Sequence, residues 1–155
     1  MKRFIVAIGA FMLLAGLFGS AVMAAPPVHQ ASGGGTVDYA GARNTHAFTA
    51  RIDADGKVQG QAEFQLRYLD LTIHVEIDCL AVVGNNAWLG GTITHSSNPA
   101  LEGEPVLFRV QDNGEGHAAP QDMTSQIVIG PTLPSCTTTP PLGLIPWTNG
   151  NVQVR

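Results

Sequence analysis

The sequence predicts an all-β protein, an antiparallel up-and-down meander of about eight strands, and three observations carry that expectation. Apolar and polar residues alternate with period two, as in Val58, Gly60, Ala62, Phe64 and Leu66 against Gln59, Gln61, Glu63, Gln65 and Arg67. Glycine-containing turn sequences, Ala54-Asp55-Gly56 and Gly84-Asn85-Asn86, separate such stretches. No segment beyond the first 24 residues carries helix periodicity. Sequential hairpins with long strands favour a small barrel, in which closure removes exposed edges, over a two-layer sandwich. The run from Leu71 to Val83 points the same way, because it is too long for a flat sandwich strand without a bend.

The chain opens with Met1-Lys2-Arg3, an apolar run from Phe4 to Phe18, and Val22-Met23-Ala24 before a cut at Ala25. That order predicts a secretory signal peptide over residues 1–24. A membrane span would need about 20 apolar residues, and Gly9, Gly16, Gly19 and Ser20 weaken a run that is already short. Cleavage therefore leaves no membrane insertion, and the protein is expected to be secreted or periplasmic. The remaining chain carries six basic against twelve acidic residues, a net charge of −6. Such a chain is a poor partner for nucleic acid, whose phosphates are bound by Lys/Arg clusters.

Residues 25–35 read as a flexible lead-in to a single β domain over 36–155. In that domain Thr36 to Tyr39 is a weak strand. The Gly56 hairpin then sets a register of Ile52–Val58, Ala50–Gly60, Phe48–Ala62 and His46–Phe64, which pairs apolar with apolar residues and large with small. In the next hairpin a three-residue turn implies Val83–Ala87, Ala81–Leu89, Cys79–Gly91 and Ile77–Ile93, with Cys79 on the core face. Val106, Phe108 and Val110 form a further strand, Met123 to Ile129 a shorter one, and Val152 to Arg155 a weak one. The proline-rich stretch 131–147 reads as an irregular strap.

Export favours disulfides. Cys79 and Cys136 are the only cysteines, so one intramolecular bridge is expected, with free thiols or a dimer bridge as the alternatives. Catalytic signatures are mostly missing: there is no Gly-x-Ser-x-Gly, His-Glu-x-x-His, phosphate loop or dinucleotide fingerprint. Three sets of residues are candidates for function. On one strand His74, Glu76 and Asp78 alternate onto the outer face, where imidazole and carboxylate would suit zinc; opposite them stand Thr92 and Thr94, which are weak ligands, so a solvated polar face is favoured. Asp112, Glu115 and Asp122, with Asn113 and His117 in a glycine-containing loop, offer oxygen ligands to calcium without the helical-loop pattern; a tight Asn-Gly turn is favoured there. Leu80, Val82 and Trp88 share an outer face in the expected register, as a ligand or partner patch or as a seat for the strap, which is favoured. His46 reads as a core or rim histidine. No cofactor is expected beyond the weak calcium and zinc readings.

The residues Gly33-Gly34-Gly35, Phe48-Thr49-Ala50, Gly56 to Gly60, Cys79 to Ala87, Gly90-Gly91-Thr92-Ile93 and Val106-x-Phe-x-Val-x-Asp-Asn-Gly-Glu-Gly carry a resemblance over about residues 33 to 130. There the chain resembles exported bacterial β domains of unknown function, similar to the post-COAP-1 domains that follow adhesion or repeat modules in larger surface proteins. The resemblance implies a fold and supplies no catalytic or ligand residue. The function favoured from the residues is a secreted, non-enzymatic β module that binds a protein or a small ligand at the barrel mouth or the Leu80/Val82/Trp88 patch. A purely structural envelope protein is the first alternative. The second is a metal-assisted enzyme using His74, Glu76 and His46 or the 112–122 loop.

Overall fold

A computed structural model of the chain describes residues 28–116 and 118–155. The expected signal peptide over 1–24 and His117 of the calcium candidate lie outside the described residues. Ten strands follow one another: β1 (His29–Tyr39), β2 (Ala42–Ile52), β3 (Val58–Leu66), β4 (Leu71–Val83), β5 (Asn86–Ser96), β6 (Pro105–Gln111), β7 (Met123–Ser125), β8 (Val128–Ile129), β9 (Leu144–Pro146) and β10 (Asn149–Val154). They form one antiparallel sheet in the order β10-β1-β2-β3-β4-β5-β6-β7-β9, with β8 also on β6. The meander curls into a half-barrel rather than splitting into two layers. No helix among the described residues is long and apolar enough to cross a membrane.

The β2–β3 register is the expected one, from Ile52–Val58 to His46–Phe64. Gly56 supplies the left-handed turn position at φ +76°, and the Asp53 N–H donates to the Lys57 carbonyl at 2.9 Å. Residues 29–35, expected as a flexible lead-in, instead belong to β1, which pairs with β2 on one side and β10 on the other. The reason is space. A Cβ at Gly33 would come within 2.8 Å of the Phe48 ring, and one at Gly35 within 2.8 Å of the Trp147 ring. The glycines thus let β10 backbone and two large aromatic side chains approach β1 closely.

The β4–β5 pair departs from the expected register. Gly84-Asn85 makes a two-residue turn with Gly84 at φ +59°, so Val83 pairs with Asn86 and Ala81 with Trp88. Two bulges follow, an unpaired Asp78 on β4 and an unpaired Thr94 on β5. A bulge breaks the period-two alternation, so β4 changes face at Asp78. Before it Ile73, Val75 and Ile77 point inward; after it Leu80 does, with Val82 packed against the core, while Cys79 and Ala81 pack on the other face. Cys79 is therefore not on the core face, and its partner is Gly90 rather than Gly91. The single short strand expected from Met123 to Ile129 is broken at Gln126-Ile127 into β7 and β8.

The interior is filled. Phe108 packs edge-on against Phe48 and Phe64, with ring centroids 5.7 and 5.0 Å away, the geometry that aromatic quadrupoles favour. At one end of the half-barrel a cleft beside His46, lined by Tyr39, Leu66, Tyr68 and Ile127, has a volume of about 10 Å³, which is room for one water.

Candidate functional site

Leu80, Val82 and Trp88 do not form a patch. Leu80 is buried in the core and Val82 packs against it, because the Asp78 bulge turned them inward. Trp88 lies on the opposite face beneath the strap. Its indole N–H donates to the Pro140 carbonyl at 2.9 Å, and the Arg109 guanidinium stacks 4.8 Å from its ring. Arg109 in turn donates to Asn86 Oδ1 at 2.7 Å and to the Leu142 carbonyl at 3.4 Å. Cys136 is joined to Cys79 by a disulfide with 6.1 Å between Cα atoms. Because Cys79 faces outward, the bridge reaches the strap without crossing the sheet.

The carboxylates of the 112–122 loop are committed to β10. Asp122 accepts from the Asn113 N–H at 2.7 Å through one oxygen and from the Val152 N–H at 2.6 Å through the other. Asp112 accepts from Gly114 N–H at 2.8 Å and Val154 N–H at 3.0 Å, while Glu115 accepts from the Asn151 and Gln153 side chains at 2.9 and 3.3 Å. The oxygens that the calcium reading needed thus accept from backbone amides of β10 and of the loop itself and, at Glu115, from side chains of β10. Among the described residues no group of three or more His, Cys, Asp or Glu side chains is placed to hold a metal ion.

His46 is buried, with ring centroids 4.9 Å from Phe64 and 5.9 Å from Trp147. Its Nδ1 has no hydrogen-bond partner among the described residues. Loss of hydration pushes its pKa down to about 4, so the ring is neutral near pH 7.

His74 and Glu76 do lie on the outer face, as their alternation implies, and they border an open groove. This groove crosses β2, β3 and β4 to the Thr94 bulge and has a volume of about 670 Å³. Its polar lining is Thr49, Gln61, Glu63, His74, Glu76 and Thr94, and Ala47 in the same row adds little bulk. The strands supply a rigid floor: Glu63 pairs with His74, and Gln61 with Glu76. Sequence reasoning missed two neighbours of His74. Glu63 Oε2 lies 3.9 Å from its Nδ1, and the residue across β5 is His95, not Thr94. The one legible trace of the bulge is two successive polar residues, Thr94 and His95, before the inward Ser96.

No protein family, curated protein or solved structure, and so no enzyme family, matches the chain.

Proposed function

We propose that the chain is an exported, non-enzymatic β module whose outer groove binds a cationic partner, an amine or guanidinium group of a basic peptide being the simplest occupant. The observation that carries this reading is the groove itself: two carboxylates, an amide and hydroxyls converge in about 670 Å³ on a strand-built floor, with His74 as the one basic side chain among the polar six. Acceptors in excess of donors favour a donor-rich, positively charged ligand. The resemblance to exported bacterial domains of the post-COAP-1 kind supports export, as does the Cys79–Cys136 disulfide, since oxidising compartments preserve such bonds.

Isotope-labelled protein titrated with a lysine- and arginine-rich peptide, and separately with a neutral oligosaccharide, tests the reading. Saturable shifts at Gln61, Glu63, His74 and Glu76 with the basic peptide alone are expected. Shifts produced equally by the saccharide, or none at these positions, overturn it. The second reading, a purely structural envelope protein, is supported by the filled interior and the disulfide-tied strap, and it predicts no saturable shift with either probe.

A further inference from the structure

The Thr94 bulge sets His95 directly across from His74 on the outer face. The two rings stand 5.9 Å apart, centroid to centroid, tilted by 34°, and both side chains are open to solvent, 45% and 73% exposed. Each imidazole has a carboxylate on its Nδ1 side: Glu102 Oε1 lies 3.1 Å from Nδ1 of His95, and Glu63 Oε2 3.9 Å from Nδ1 of His74. Those carboxylates are themselves held. Glu102 Oε1 accepts from the Ser96 N–H at 3.2 Å, and Glu63 Oε1 accepts from the Gln65 amide at 3.0 Å. Glu102 is within hydrogen-bond reach of His95 Nδ1, whereas Glu63 stands beside His74 at ion-pair distance only; an imidazole that donates Nδ1–H to a carboxylate presents Nε2 as a free lone pair, the arrangement that orients histidines toward metal ions.

We propose that Nε2 of His74 and Nε2 of His95 together hold one borderline divalent ion, Zn²⁺ or Cu²⁺, on the outer face of β4 and β5, with water completing its coordination. Imidazole nitrogen suits these ions, whereas calcium and magnesium require shells of oxygen ligands. A two-imidazole site keeps open positions, as catalytic and transport sites do and closed structural sites do not. The bulge is what makes the pair. In the register that holds between Val75 and Ile77, Thr94 would have faced His74; the extra residue on β5 hands that position to His95. The ion site borders the groove but does not rest on the groove's having an organic occupant.

The test is titration of the full chain, made without a polyhistidine tag, with ZnCl₂ and separately with CuCl₂. Calorimetry reads affinity and stoichiometry, and the imidazole nitrogen resonances in the zinc titration read the ligating atoms. One equivalent is expected to bind, with the Nε2 signals of His74 and His95 shifted. His74→Ala and His95→Ala should each abolish that equivalent, Glu102→Gln should lower affinity about tenfold or more, and His29→Ala should change nothing. Amide spectra of each variant confirm that the sheet is intact. Absence of saturable binding for both ions, or one equivalent surviving in both histidine variants, overturns the site. Either result leaves the basic-peptide titration unaffected, so the two readings fail separately.

Discussion

His46 is a basic side chain placed where a proton is unwelcome, and the placement has a measurable consequence. Buried between Phe64 and Trp147, its ring has a pKa lowered to about 4 by lost hydration, against about 6.5 for a histidine in an unfolded chain. Below pH 6.5 the unfolded chain takes up a proton that the folded one refuses. Stability is therefore fully present above that pH and is lost as pH falls toward 4, below which both states are protonated and the loss is complete. The gap is worth about 3 kcal/mol. Urea unfolding at pH 7, 5.5 and 4 measures it: between the extremes, His46→Leu should lose about 3 kcal/mol less than the parent. Parallel pH profiles for the two proteins would contradict this account. Gly33 and Gly35 act at the same scale by omission, since a side chain at either would collide with an aromatic ring that the interior needs. Read from the sequence alone they resemble a flexible lead-in, because a glycine that makes room for a distant ring looks the same as one that lends freedom to the chain.

Among the elements, hairpins were legible where the turn's own chemistry fixed the pairing. Gly56 determined the β2–β3 register, and every apolar match followed from it. The β4–β5 register was not legible in this way, because the bulges at Asp78 and Thr94 are properties of two strands paired together, and the alternation carries no sign of them beyond the successive polar pair Thr94-His95. From that one source come the misplaced face of Cys79, the dispersal of Leu80, Val82 and Trp88, and the unforeseen pairing of His74 with His95. The β1–β2 turn was missed for a different reason: Ala40-Gly41 is not a usual turn pair, yet both residues have positive φ, 53° and 76°. Alanine in the left-handed region is strained by about 1–2 kcal/mol, and asparagine is tolerated there. Ala40→Asn should accordingly raise stability by about 0.5–1 kcal/mol, seen as a higher urea midpoint at unchanged slope; an unchanged or lower midpoint would count against strain at this turn. The strap offers a second test. The bridge closes a loop with sequence separation 57, worth about 4 kcal/mol in the chain-entropy account, and it holds Pro140 over the Trp88 indole. In a Trp147→Phe background, reduction and alkylation should shift Trp88 emission to longer wavelength. Emission unchanged by reduction would mean that the strap stays seated without its covalent tie.

At the scale of the whole molecule the sheet has an unsolved edge, and carboxylates rather than another strand resolve it. The order of the sheet ends at β10 on one side and β9 on the other, and an uncovered row of amides at such an end invites pairing with a second chain. Instead Asp122 and Asp112 accept the Val152 and Val154 amides, Glu115 holds the Asn151 and Gln153 side chains, and the Asp122 carbonyl takes the Trp147 N–H at 2.9 Å. The loop that resembled a calcium site by composition is thus the clasp of the half-barrel. Its composition was legible and its purpose was not, since the partner strand lies about 30 to 40 residues further along the chain. Asp122→Asn keeps the shape but turns one acceptor into a donor facing an N–H. Charge-assisted bonds of this kind contribute about 1.5–3 kcal/mol, so the variant should lose about that much. The loss should also be local: hydrogen exchange of the Val152 and Val154 amides should accelerate strongly while amides of β3 and β4 remain protected, because those strands are paired on both sides at the centre of the sheet and β10 lies at its end. A freed edge should further raise the tendency to self-associate, which sedimentation at increasing concentration would detect. If β10 in the variant exchanges as slowly as β4, the closure resides in packing around Val152 and Trp147, and the carboxylates only decorate it.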